Sequence, residues 1–291
     1  MIRIDNVIFG YEKDNPILRS ITLEENEPVI TCLWGRNGAG KTTLMKLLAG
    51  HLRPDEGSIQ IMGLAPYNNE QAVQHLCFMQ EDHPFSTLWT VRNAFRFGQY
   101  YNPNWSQETA EQLLNIFKLD EKKTITKLSK GMKTALQFII GLSSHANITI
   151  FDEPISGLDA GIRKKLYKAL LESHENHPRL ILLSTHHIEE VQPLCESLIV
   201  LHNGKLLMHK EIEGMRERGI WLTGEKNTLE KVVTSQKILE HIEAGNMVKA
   251  MIDAAYSKEW KETAQTYGLS IEKAKMQDYL LNITRDEEVS V

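Results

Sequence analysis

Gly35-Arg36-Asn37-Gly38-Ala39-Gly40-Lys41-Thr42 stands between an apolar run, Val29–Leu33, and a helix-like stretch, Thr43–Ala49. Its spacing is G-x-x-x-x-G-K-[ST], the pattern of a loop that wraps a phosphate chain. The glycines let the backbone curl so that successive N–H groups face one anion, and the start of the following helix adds a favourable dipole. Lys41 can reach the outer phosphates, and the Thr42 hydroxyl can ligand Mg²⁺. A Gly-rich turn with no ligand is the alternative; a strand before it and a helix after it argue against that.

Outward from this loop, short β-rich runs alternate with helical ones. Ile2–Phe9, Val29–Leu33, Ser58–Met62, Leu76–Gln80, Ile148–Phe151, Leu180–Thr185 and Ser197–Leu207 read as strands, the last with a hairpin turn at Asn203-Gly204. Ile148–Phe151 and Leu180–Leu183 are continuously apolar, as strands covered on both faces must be. Lys41–Ala49 and Ile162–Glu175 read as helices. The alternation predicts an α/β core with a largely parallel sheet. Residues 88–146 break it and read as a helical insertion, with helices over Gln107–Phe117 and Lys133–Ser143.

The character changes again after about Glu213. Ile220–Thr223, Lys237–Ile242, Met247–Asp253 and Leu269–Lys275 read as strands; Leu229–Thr234 and Lys258–Tyr267 read as helices. The order is β-α-β-β-α-β, the ferredoxin-like pattern, closed by a helix over Met276–Ile283. The expected division is therefore an ATPase-type domain over 1–215, with its helical subdomain at about 88–146, and a small α+β domain over 216–291.

With 291 residues the chain is long enough for one large domain and a small one. A net charge of -5 gives no overall basic field for nucleic acid, so no nucleic-acid partner is expected. Cys32, Cys77 and Cys195 are scattered without ligand spacing and suit a reducing compartment. Met1-Ile2-Arg3-Ile4-Asp5 carries charge too early for a secretion signal and reads as a strand. Apolar runs such as Ala135–Leu142 fall far short of the roughly 20 residues that span a bilayer. Membrane work would need a separate membrane partner.

A second chemical centre is Thr149-Ile150-Phe151-Asp152-Glu153, an apolar strand ending in two carboxylates. Asp152 can hold Mg²⁺, directly or through water. Glu153, expected on the opposite side of the chain, can polarise a water for attack on a γ-phosphate. A well-placed general base is worth about 10²–10⁴-fold in rate.

In their order, these motifs resemble the ATP-binding subunits of ABC transporters over roughly Met1 to Met215. The resemblance implies a P-loop ATPase fold, with ATP and Mg²⁺ as ligands. It implies nucleotide contacts from Gly35, Arg36, Asn37, Gly38, Ala39, Gly40, Lys41, Thr42 and Thr43. Tyr11 corresponds to the aromatic that stacks on adenine. Gln80 corresponds to a glutamine that touches Mg²⁺ or the attacking water. His186 corresponds to a switch histidine on the γ-phosphate. Glu153, His186, Gln80 and Lys41 would then be catalytic, and Thr42, Gln80 and Asp152 would be metal-binding.

Leu128-Ser129-Lys130-Gly131-Met132 resembles the family's L-S-G-G-Q signature, departing at Lys130 and Met132. Ser129, Lys130 and Gly131 would meet a γ-phosphate at the start of a helix. Ser156-Gly157-Leu158-Asp159 resembles the loop that crosses to a partner subunit, and Asp159 can also cap the next helix.

In this family the signature of one subunit caps ATP held by the other. The expected partners are a second copy or a related ATPase, and a transmembrane permease subunit at the cytoplasmic face of the cell membrane. Tyr100-Tyr101-Asn102-Pro103-Asn104-Trp105, the L-S-K-G-M form and the tail Met276–Thr284 resemble ABC-2 type ATPases. These are common in Gram-positive bacteria and mostly serve exporters, so the resemblance implies export, of peptides or other amphipathic compounds. Two rivals stand beside this reading. A soluble ABC-type ATPase would lack the membrane partner, and a P-loop metabolite kinase would leave Ser129–Gly131, Asp159 and His186 unexplained.

Overall fold

Alternation of apolar and polar residues produces the outer strands, and unbroken apolar runs produce the inner ones. The computed structural model describes residues 1–81, 85–155 and 158–285. Its elements run β1 (Ile2–Phe9), β2 (Leu18–Glu25), β3 (Ile30–Trp34), α1 (Lys41–Leu48), β4 (Glu56–Ile61), α2 (Glu70–Val73) and β5 (Leu76–Met79). The helical stretch follows as α3 (Val91–Tyr101), α4 (Gln107–Phe117) and α5 (Lys130–Ser143). Next come β6 (Ile148–Phe151), α6 (Ala160–Asn176), β7 (Leu180–Thr185), α7 (Ile188–Val191), β8 (Ser197–His202) and β9 (Lys205–Glu211). The chain divides into two units, one of Met1–His186 with Glu190–His209, the other of His187–Glu189 with the chain from Lys210 on.

In the first unit a six-stranded sheet has the order β5-β6-β7-β3-β8-β9, and β5, β6, β7, β3 and β8 pair in parallel. β3, β6 and β7 are buried along their whole length, which is why they read as continuous apolar runs. Asn203 and Gly204 both take positive φ in the turn between β8 and β9, as a two-residue hairpin requires.

A three-stranded antiparallel sheet, β2-β1-β4, completes the unit. Its Ile4, Val7, Ile21 and Ile59 share one buried cluster with Leu44 and Leu47 of α1 and with Phe78, Ile150, Leu182 and Ile199 from the large sheet. β2 was not expected from the pattern. Ser20 sits at φ 55, and the β1–β2 pairing shifts register between Val7 and Phe9, so the apolar positions Leu18, Ile21 and Leu23 fall out of strict alternation.

Caps explain where the helices begin. The Ser129 hydroxyl accepts the N–H of Met132, and an Asp159 carboxylate oxygen accepts that of Ile162. α5 and α6 therefore start at Lys130 and Ala160, two or three residues ahead of their apolar patterns. Phe138 of α5 stacks on Phe151 of β6 with ring centroids 4.6 Å apart, fixing the helix over the large sheet.

In the second unit α8 (Ile212–Arg216) precedes β10 (Arg218–Glu225), α9 (Lys226–Val233), β11 (Ile238–Ala244), β12 (Met247–Ala255), α10 (Lys258–Thr266), β13 (Ser270–Lys273) and α11 (Met276–Ile283). Its sheet has the order β11-β12-β10-β13 with every pair antiparallel, the arrangement of a split β-α-β fold. Leu229, Val233 and Ala264 of the two crossing helices pack on Ile220, Leu222, Val248 and Ile252. Among the described residues no helix is long and apolar enough to cross a membrane.

Candidate nucleotide-binding site

The C-terminal ends of three adjacent parallel strands, β3, β7 and β6, meet at one edge of the large sheet, where open α/β sheets bind ligands. β3 runs into the glycine loop. Gly38 and Gly40 take φ 83 and 100, a left-handed backbone that glycine adopts without strain. At Gly40 a Cβ would also lie 2.6 Å from Leu18 Cδ2. Among the described residues no side chain caps α1, so its first N–H groups are left for a ligand. The loop lines a cavity of about 350 Å³ together with Ile17, Glu81, Asp152 and Glu153. An uncapped helix start, a left-handed glycine pair and a buried lysine fit a phosphate chain.

Lys41 is buried and donates to the Gly35 carbonyl at 2.7 Å, with its Nζ 3.5 Å from Glu153 Oε1. The Thr42 hydroxyl donates to Asp152 Oδ2 at 3.0 Å. Hydroxyl and carboxylate thus meet from opposite walls, and they are hard oxygen donors of the kind Mg²⁺ takes. The residues present therefore fit the ion.

The expected separation of Asp152 and Glu153 onto opposite sides of the chain is corrected by the structure. Glu153 leaves the strand at φ 47, outside β geometry, and both carboxylates line the cavity. What holds that strained turn is Ser184 of β7, a fully buried residue that sequence reasoning missed. Its hydroxyl donates to Asp152 Oδ1 at 2.6 Å and accepts the Glu153 N–H at 3.0 Å. The available signal was a serine at the end of an otherwise apolar buried run, since such a hydroxyl must find a partner. His186 donates from Nδ1 to Glu153 Oε1 at 2.9 Å, so Glu153 lies between Lys41 and His186. Below the loop, burial first, then Cys195 and Glu153, push the Cys32 thiol well above its ordinary pKa, leaving a neutral floor.

Tyr11, Gln80, Ser129, Lys130, Gly131 and Asp159 are not among the residues lining this cavity. Tyr11 is exposed and meets Phe9 edge-on at 5.2 Å. β5 ends at Met79, and the next turn puts Glu81, not the expected Gln80, on the cavity wall. The Gln80 carbonyl instead accepts from Gln137 Nε2 of α5 at 2.9 Å. Lys130 pairs with Glu81 at 3.8 Å across the surface. Gly131 has a packing role in its own chain, because a Cβ there would lie 2.9 Å from Ile162 Cδ1. Ser129 and Asp159 are the caps described above. Ser156 and Gly157 lie outside the described residues.

Comparison with known proteins identifies the family. The ABC transporter family model matches residues 18–156. An ABC transporter ATP-binding protein of Methanocaldococcus jannaschii is 30% identical over 217 residues, covering 73% of this chain and 78% of the relative. The solved ATP-binding subunit of an ABC transporter superposes with a TM-score of 0.67 at 25% identity, covering 74% of this chain and 92% of that one. A dimeric ATP-binding cassette in a post-hydrolysis state with ADP and phosphate superposes with a TM-score of 0.63 at 18% identity, over 73% and 99% of the two chains. A glycine cradle, its buried lysine and a serine-held carboxylate pair therefore stand in a chain that belongs to the ATP-binding proteins of ABC transporters.

Proposed function

We propose that this chain hydrolyses ATP as a dimer of nucleotide-binding domains and drives a separate transmembrane subunit that exports amphipathic compounds, peptides among them. The observation that carries the reading is the meeting of Lys41, Thr42, Asp152 and Glu153 in one cavity, with His186 on Glu153. Residues 1–215 would be the nucleotide-binding domain, and 216–291 an accessory domain.

In this reading the N–H groups of the glycine loop and α1 hold the phosphates. Thr42 and Asp152 would hold Mg²⁺, which when bound neutralises charge on the phosphate oxygens. Lys41 exchanges Glu153 for phosphate oxygen on binding. The released Glu153 carboxylate then orients a water and takes its proton at Oε1, and His186, hydrogen-bonded there, steadies the carboxylate. Ser129, Lys130 and Gly131, which do not line the cavity of their own chain, serve the partner's nucleotide. The post-hydrolysis relative is dimeric, which supports such an arrangement here.

An aromatic patch supports contact with a membrane subunit. The rings of Trp89, Phe97, Tyr101 and Tyr100 run side by side at centroid spacings of 4.5–5.1 Å, and Leu88 is 87% exposed next to them. The tail and the L-S-K-G-M form support the exporter branch of Gram-positive bacteria by resemblance, and with it a place at the cytoplasmic face of the membrane.

Two measurements test the proposal. Lys41→Ala and Ser129→Ala chains, each inactive alone, should regain phosphate release when mixed, because one complete composite site forms. A mixture as inactive as its components refutes capping between copies of this chain. Affinity capture from detergent-solubilised native membranes should bring down a multi-span subunit; capture of ribosomes or DNA alone refutes the transporter assignment.

A further inference from the structure

Arg179, just before β7, is 2% exposed, yet it is a cation that does not line the nucleotide cavity. Buried charge is costly unless fully used, and burial lowers the Arg179 pKa to about 10. Its fork reaches two helices at once. Nη1 donates to the carbonyls of Ser173 at 3.3 Å and His177 at 2.8 Å, and Nη2 donates to the Leu142 carbonyl at 3.3 Å and the Ser173 hydroxyl at 3.0 Å. Leu142 lies in the last turn of α5; Ser173 lies in the last turn of α6, and His177 is its C-cap. These carbonyls belong to the C-terminal ends of the two helices, the negative ends of both dipoles, and that of Ser173 also accepts the N–H of His177 at 3.1 Å.

The opposite ends of the same helices also touch. Gly131 lies against Ile162: a Cβ at this position would come within 2.9 Å of Ile162 Cδ1. α5 opens with Ser129 as its cap and α6 with Asp159. Helices of 14 and 17 residues, about 21 and 25 Å long, are therefore joined at their starts by packing and at their finishes by one guanidinium. α5 presents the Ser129–Gly131 segment assigned above to the partner's nucleotide, and α6 presents Asp159, from the loop that resembles one crossing to a partner subunit.

We propose that Arg179 is a positioning residue for the trans half of the site: by locking the C-terminal ends of α5 and α6 together, it sets where Ser129 and Asp159 stand relative to each other and so how they meet the partner's ATP. This rests on the trans-capping reading above. It makes an asymmetric claim. Arg179 should matter in the chain that lends its helices, and not in the chain that lends its glycine loop.

The reference is the mixture of Ser129→Ala chain, which lends the loop, with Lys41→Ala chain, which lends the helices. Arg179→Met is added to one chain or the other. In the Lys41→Ala chain it should lower phosphate release by about tenfold; in the Ser129→Ala chain it should leave the rate within about twofold of the reference. A general loss of folding lowers both mixtures alike, so equal rates in the two overturn the proposal. If Arg179→Met does not fold by circular dichroism, Arg179→Lys takes its place with the same asymmetry expected, since one ammonium cannot span both helix ends as the planar fork does. A reference mixture that stays inactive overturns the trans-capping reading and this proposal together. An active reference with symmetric losses overturns this proposal alone.

Discussion

Ser184→Ala removes the one hydroxyl that, among the described residues, joins both acidic residues of the site. Two bonds are lost, the donation to Asp152 at 2.6 Å and the acceptance from the Glu153 N–H at 3.0 Å. A bond to a charged group contributes about 1.5–3 kcal/mol, and a buried donor left unpaired costs about 1–3 kcal/mol. Asp152 borders an open cavity, so water repairs part of the loss, leaving about 2–4 kcal/mol. For a domain of this size that lowers the melting temperature by about 5–15 °C. Phosphate release should fall about tenfold as well, because Glu153 loses the anchor of its left-handed turn.

Thr149→Val is the control. Thr149 is equally buried on the neighbouring strand, but its hydroxyl has no protein partner among the described residues. Removing it should leave stability unchanged or raise it. Thermal unfolding and a phosphate-release assay on the two variants decide the matter. A Ser184→Ala loss below about 0.5 kcal/mol, the level of an ordinary surface change, would refute the reasoning.

Glu153→Gln should keep nucleotide binding while slowing turnover at least about tenfold; unchanged phosphate release would remove Glu153 from the base role. Burial first, then the charges of His177 and Arg179, pull His145 down to about 4. The unfolded chain takes up that proton near pH 6.5, so the stability tied to neutral His145 is complete above that value and drains away as pH falls through about 4. His145→Asn, a residue that tolerates the φ of 45 found there, should flatten the decline of melting temperature between pH 7 and 4; an unchanged slope counts against it. Gly141→Ala would put a Cβ 2.5 Å from the Phe151 ring. Overpacking costs about 1–3 kcal/mol, and the helix-propensity gain returns about 1 kcal/mol, so the denaturant midpoint should drop; a rise would show that the ring yields freely.

The glycine loop, the strand ending in Asp152 and the parallel core were legible because each rests on local chemistry. Phosphate cradles need glycines at set spacing, and doubly covered strands need unbroken apolar runs. β2 was not legible, since a register shift at Ser20 breaks the alternation that marks a half-buried strand. Gln80 illustrates another limit: the residue at a strand end was identified, but the turn that follows gives the cavity wall to Glu81.

Sequence alone determined which residues have the chemistry for a phosphate chain and a hard cation, because that chemistry belongs to side-chain type and short spacing. Only the tertiary structure decided how they are held. Ser184 lies 32 residues from Asp152, and Arg179 lies 37 from Leu142. Parallel strand pairing and the burial of two helix ends bring these groups together, and neither long-range pairing leaves a local pattern in the chain.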